Sequence, residues 1–254
     1  MTREGLSGRG AGRPFAKNMA DFPAMTIIET LLARIPGKFS AELGIDLKAG
    51  PLERQKWFLA AIFYGAPISG TLASRTYRVF AENGVLTPEA ILARGWDGLV
   101  ALLDEGGYTR YDFKTATKLL RVMEALKEGY QGDLERLAAA SQSYQDLATR
   151  LCALAPGIGM TTVNIFLREL RGIWPQAEPP LSPLAQLAAE HLKLIPPDLD
   201  PFAALAALAA RWQAEPVAGH DFADLEAALV RLGRDYCRKP TRRGCPMSQF
   251  CGRK

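Results

Sequence analysis

"LCALAPGIGMTTVNIFLREL", residues 151–170, breaks a Leu/Ala-rich helical stretch with Pro156, Gly157 and Gly159 and then resumes a helix at once. A helix, the turn APGIG and a second helix starting at Met160 make a helix-hairpin-helix. Gly157 and Gly159 permit positive φ and close approach of another backbone. The amides following Ile158, those of Gly159, Met160, Thr161 and Thr162, fall at a helix N-terminus, where unpaired N–H groups and the helix dipole favour an anion. The hydroxyls of Thr161 and Thr162 add donors. Contacts of this kind hold phosphate without reading base sequence. A glycine turn between helices is also a common structural device, so on these residues alone both readings stay open.

The rest of the chain from Thr26 reads as helix. "TIIETLLARI" is amphipathic and stops at Pro36; "PLERQKWFLAAIFYG" opens on Pro51 and ends at Gly65; "SGTLASRTYRVFAENG" has Ser69 as a cap and Gly84 as a stop. "TPEAILARG" and "WDGLVALLDEGG" read as short helices punctuated by glycine. In "RYDFKTATKLLRVMEALKEG", Phe113, Leu119, Leu120, Met123 and Leu126 approach a 3.6-residue period. Asp133 and Ser143 cap the helices leading into the hairpin. The proline-rich "GIWPQAEPPLSP" is an extended connector, and three further helices follow it. With no alternating strand and no repeat, the fold class is all-α. A boundary is expected near residue 173: a six-helix barrel over 50–173 with the hairpin at 143–171, and a second helical domain from 25–49 plus 174–254. Residues 1–24, Gly/Arg-rich and aperiodic, read as a flexible basic tail.

The 254 residues, 48% hydrophobic and 23% charged, are ordinary for a globular protein. No membrane span or signal core is read, so the expectation is a cytoplasmic monomer with no membrane partner. The net charge of +4 hides a segregation. Residues 1–18 carry four Lys/Arg and one acid, and residues 231–254 carry eight Lys/Arg against Asp235. Of the chain's 31 basic and 27 acidic residues, 19 and 25 lie between these ends, so the middle is net −6. Basic ends on an acidic body suit a polyanion touched locally, or simply a solvated tail.

Four stretches in order carry a resemblance. "LxxLAPGIGMTTVNIFL" resembles the "LPGVGxKTAxxxL" hairpin of the HhH-GPD family of DNA glycosylases, the endonuclease III-like proteins. "WFLAAIFYGAPISGTLASRTYRVF" looks like that family's early helix–loop–helix, "LLDEGGYTRYDFKTATKLL" like its Gly-Tyr segment, and "LGRDYCRKPTRRGCPMSQFC" like its iron–sulfur loop. The resemblance implies two all-α domains with a double-stranded DNA-facing cleft between them, and extrusion of a damaged base from the duplex. It implies a wedge loop at Pro67, Ile68 and Ser69 that fills the vacated space, with Ile68 alternatively a core residue. Tyr108, Tyr111 and Phe113 would line an aromatic pocket.

The chemistry-bearing positions depart from the family's pattern. Thr161 stands where bifunctional members place a Schiff-base lysine, which implies base removal without strand cleavage. Lys114 and Lys118 are alternative amines, read as solvated positions on a long helix. Ser182 stands where the family has an aspartate after the hairpin, in "LSPLAQLAAEHL". Glu178, 17 residues beyond Thr161, is the nearest carboxylate; Asp112, Glu105 and Tyr111 are further candidates. The expected catalytic set is therefore Glu178, Ser182, Thr161 and Asp112, with water as the nucleophile, and a DNA-binding relative without catalysis is the alternative. Cys237, Cys245 and Cys251 give C-x7-C-x5-C where the family has four cysteines, and Arg242 occupies the second position. An iron–sulfur cluster with an unusual fourth ligand, a zinc site, and a loop without metal all stay open. Cys152 is read as a small buried apolar residue. Arg238, Lys239, Arg242 and Arg243 of this loop are expected to meet DNA phosphates.

Overall fold

The computed structural model describes residues 25–241 and 243–252, so the expected basic tail and Arg242 lie outside the described residues. All regular structure among them is helical, and the fold is all-α. Helix α1 (Ile27–Arg34) opens with a capping box: Thr26 Oγ1 accepts from Glu29 N, and the Glu29 carboxylate accepts from Thr26 N. After the short α2 (Phe39–Glu42) come α3 (Pro51–Tyr64) and α4 (Gly70–Glu82). The two short helices expected next are joined in α5 (Pro88–Glu105), which kinks at Gly95. Then follow α6 (Asp112–Tyr130), α7 (Leu134–Ala139), α8 (Tyr144–Ala153) and α9 (Met160–Arg168). Beyond the connector lie α10 (Pro183–His191), α11 (Pro201–Ala214) and α12 (Phe222–Leu232), which runs on into a π-helical turn at Gly233–Cys237.

Local sequence explains most of the helix starts. Proline occupies the first turn of α3, α5, α10 and α11, where its missing N–H costs nothing. Side-chain caps from Thr87, Asp133, Ser143, Asp200 and Asp221 begin α5, α7, α8, α11 and α12. Phe113 departs from the expected pattern: it is 58% exposed, because α6 turns its Leu119, Met123 and Leu126 face inward and Phe113 lies off that stripe.

One continuous apolar core runs through the described chain, with Trp57, Phe58, Phe63, Phe80 and Phe166 fully buried. Helix α3 packs on α4, α7 and α9; α5 lies along α6; α10 packs on α12, and α1 returns to α12 as well. Trp57 Nε1 donates to the Phe166 carbonyl at 3.1 Å, tying α3 to α9. The same two helices meet more tightly at Gly65, the residue ending α3. A Cβ there would lie 2.1 Å from Thr162 Oγ1 and 3.0 Å from its Cα. Glycine is required by contact, and this contact seats the start of α9 against the end of α3.

Gly65→Ala must push α9 away from α3 and should cost about 1–3 kcal/mol in urea denaturation, as overpacking does. Gly129→Ala, in α6 with nothing within 4 Å of the new methyl, is the matched control and should gain up to about 1 kcal/mol. Equal stability of the two variants would show that the Gly65 contact is slack.

Candidate nucleic-acid interface

The hairpin folds as its glycines dictate, although only one of them uses the left-handed region. Gly157 has φ 91°, while Gly159 is extended at φ −114°. The Ile158 amide donates back to Ala155 O at 3.1 Å and closes the turn. Gly159 supplies no side-chain cap to α9, so the first-turn amides at Gly159, Met160 and Thr161 face outward. A Cβ on Gly159 would meet nothing within 4 Å, so any need for glycine there comes from a molecule approaching the turn. Met160 and Thr161 are exposed. Ile158 and Thr162 are buried, which corrects their expected roles: Ile158 offers a partner only its backbone, and the Thr162 hydroxyl is spent against Gly65.

Met160 and Thr161 open onto a cavity of about 520 Å³. Ser182 and Pro183, the start of α10, line it from the other side, with Phe39, Tyr64, Ile68 and Val230 among its apolar walls. Thr161 and Ser182 both line this cavity. Ser182 Oγ accepts from the Ala185 amide at 3.3 Å and caps α10. Ile68, expected as a wedge, is half-buried in this wall; Pro67 is exposed, and Ser69 caps α4 by accepting from Leu72 N at 3.2 Å.

The polar groups of this cavity are largely ones that sequence reading misses. Arg168 is buried, and its Nε has no hydrogen-bond partner among the described residues. Asn164 Oδ1 accepts from Tyr144 Oη at 2.8 Å. Burial pushes the Tyr64 phenol up, and its hydroxyl shares a 2.7 Å hydrogen bond with Ser74. Glu226, 1% exposed, is the cavity's one carboxylate; Arg171 Nε donates to it at 2.8 Å. Glu178 has a side chain 59% exposed, pairs with Arg171 Nη1 at 3.1 Å and is not in the lining of this cavity. Asp112 sits in the first turn of α6, accepts from the Phe113 amide at 2.8 Å and lies beside Asp104. Glu105 ends α5 exposed. Nothing local in the sequence marks Arg168 or Glu226; their burial comes from the packing of α9 and α12, and α12 is buried on every side over residues 225–232.

Beneath this cavity Glu169 is fully buried. Burial pushes its carboxyl up, against the pull of Arg168 and of the Ser40 and Phe39 amides, which donate to it at 2.9 and 2.8 Å. The Phe39 ring is faced by three guanidinium groups, Arg231 at 3.7 Å, Arg168 at 5.5 Å and Arg234 at 5.8 Å.

A second cavity, about 580 Å³, is lined by the 65–67 loop and by Pro156 and Gly157 of the hairpin, close in sequence to residues of the first cavity but with no lining residue in common. Tyr108 and Tyr111 line it, as do Phe113, Lys114 and Lys118. Tyr108 is 2% exposed and belongs to the core as much as to the cavity. Lys118 is not the solvated lysine expected from sequence. It is half-buried beside Gly157, whose added Cβ would lie 3.0 Å from Lys118 Cε, and burial pulls its amine below the ordinary 10.5.

At the C-terminus Arg238, Lys239 and Arg243 are exposed on the loop after the π-helical turn. Cys237, Cys245 and Cys251 are half-buried, and no group of three or more His, Cys, Asp or Glu among the described residues is arranged to hold a metal ion. Cys152 lies 3.9 Å from Met160 Sδ, partly buried as expected. No helix among the described residues is long and apolar enough to cross a membrane. In comparison with known proteins, the chain matches no family model and no curated protein sequence.

Removing Arg171 leaves Glu226 buried and unpaired, so Arg171→Met should cost about 3–5 kcal/mol. Glu178→Ala removes only an exposed partner and should cost about 1 kcal/mol or less. Equal losses on urea denaturation would refute this assignment of buried and exposed roles. For Lys118 the sign follows from its lowered folded pKa: the unfolded chain binds the proton more tightly, so this residue destabilises at neutral pH and the penalty fades as pH rises toward 10.5. Lys118→Met should melt higher than wild type at pH 7, with the gap closing by about pH 10.5, lysine's ordinary value. A gap independent of pH would contradict the burial of a charged amine.

Proposed function

We propose that this chain is a helix-hairpin-helix DNA glycosylase of the monofunctional kind. It grips duplex DNA at the hairpin amides and accepts an extruded base in the cavity below them. The observation that carries the reading is the meeting of three features at one cavity: the uncapped start of α9, the start of α10 at Ser182, and the buried carboxylate of Glu226. Apolar walls with a few fixed polar groups suit a planar base, and the unpaired Nε of Arg168 is a donor available to it.

In this reading water adds to the sugar's anomeric carbon as the N-glycosidic bond breaks. The bonding pair leaves with the base, and the base gains the proton that the water loses. Positive charge builds on the sugar ring, and Glu226 supplies the negative charge nearest the cavity; Arg171, donating to that carboxylate, offsets part of its field. Thr161 cannot form a Schiff base, so the sugar–phosphate backbone stays intact at this step. A second reading, DNA binding without chemistry, is favoured by the engagement of Glu226 with Arg171 and of Ser182 Oγ with its own helix.

Duplexes each holding one uracil, hypoxanthine, oxidised purine, alkylated purine or mismatch, treated with protein and then alkali, distinguish the two. The expected result is an abasic product from at least one duplex, reduced about 100-fold or more in Glu226→Gln, the scale of losing a preorganised electrostatic group. No product from any of them, together with tight binding to an abasic-analogue duplex, would make the chain a binding protein. Full activity in Glu226→Gln would remove this residue from the chemistry.

A further inference from the structure

The second cavity differs from the first in charge. Lys114, Lys118 and Arg121 enter it from α6 at spacings of four and three residues, so they stand on one face of that helix, and no Asp or Glu lines the cavity. None of the three has an ion pair with any described residue. Like charges at these spacings oppose one another, and half-burying Lys118 away from carboxylates adds to the cost. The arrangement is satisfied by an anion from outside the chain.

The same cavity presents a stacking surface. Trp96 and Phe113, 39% and 58% exposed, lie with ring centroids 5.2 Å apart. Trp96 Nε1 donates to Thr117 Oγ1 at 3.0 Å, which fixes the indole on the side of the helix that carries the cations. Large exposed rings beside unpaired cations match the composition of sites that hold a base by its face and its phosphate by charge. A paired base inside a duplex has no free face to offer, so the ligand is a nucleotide without a pairing partner.

We propose that this cavity is a second nucleotide subsite, taking one unpaired nucleotide of a DNA strand with its base on the Trp96/Phe113 surface and its phosphate on Lys118 and Arg121. Its 65–67 loop and Gly157 are close in sequence to Tyr64, Ile68 and Met160 of the first cavity, which places it where duplex opened at the hairpin would offer a second displaced nucleotide. Only that source of the nucleotide rests on the reading of the hairpin as a DNA contact; the base-and-phosphate chemistry does not.

Binding of the full-length chain to a labelled short oligothymidine, to a plain duplex, to thymidine monophosphate and to inorganic phosphate tests the subsite. Lys118→Met and Trp96→Ala should each weaken oligothymidine binding about tenfold or more, the range of one stacked base, and change duplex binding far less. Lys118→Met should do so while melting higher than wild type, so its loss of binding is not a loss of fold. Unchanged oligothymidine binding in both variants overturns the proposal. Competition by phosphate as strong as that by the nucleotide overturns the base contact, and thymidine monophosphate binding as tightly as the oligonucleotide overturns the assignment to a strand. A chain that ignores duplex but loses oligothymidine binding in these variants keeps the subsite and loses the hairpin reading. Base release with unaltered oligothymidine binding does the reverse.

Discussion

The guanidinium of Arg171 is the constraint on which the candidate site depends. Just past the end of α9 it donates to Glu226 of α12, to Glu178 and to the carbonyl of Pro179 in the connector. Its side chain is 5% exposed. Burying an ion pair brings a desolvation penalty that the attraction between the two charges largely consumes, so this group is poor evidence for stability as such. Its consequence is positional. A planar fork of donors fixes direction as well as distance, and holding Pro179 and Glu226 together sets where the connector turns into α10. Ser182 comes to line the same cavity as Thr161 along a connector that Arg171 holds.

Around that anchor, charge is distributed in a way the linear sequence conceals. The middle of the chain is net −6 by count. Yet the walls of the two cavities carry Arg168, Arg234, Lys114, Lys118 and Arg121 against the single carboxylate of Glu226. Arg234 is itself paired with Asp235 at 2.8 and 2.9 Å, and Arg168 stacks against Phe39. Concave surfaces lined by one sign of charge focus the field toward an approaching polyanion. The hairpin separates two such surfaces, one largely apolar and enclosing a carboxylate, the other open and wholly cationic.

Helices, caps and the hairpin were legible in the sequence because they are set within a few residues. Ser69, Asp133 and Ser143 each bond an amide two or three positions on, and such contacts leave a local pattern. Thr161 and Ser182, singled out by the resemblance, both line the first cavity. Glu226 was not legible, since its meeting with Arg171 spans 55 residues and nothing near "FADLEAALVRL" announces it. For Glu178 the spacing along an irregular connector left open which way its side chain leaves, and it is more than half exposed. Lys118 was misread because a 3.6-residue period says which face of α6 is buried by its own domain's core, and is silent about the hairpin lying over its edge.

The relation between Glu178 and Glu226 shows why the two carboxylates should be treated as one device. They share a single guanidinium, so the three groups together carry one net negative charge. Solvent screens Glu178, which is more than half exposed, whereas Glu226 is enclosed by protein where fields are little attenuated. The negative charge presented to the cavity therefore belongs to Glu226, and Glu178 acts on it only by taking a share of Arg171's donors. A connector carboxylate that reached into the cavity itself would have to break that sharing and leave a buried guanidinium half-satisfied. The fold resolves the competition by sending the connector's acid to solvent and supplying the cavity's acid from the last helix.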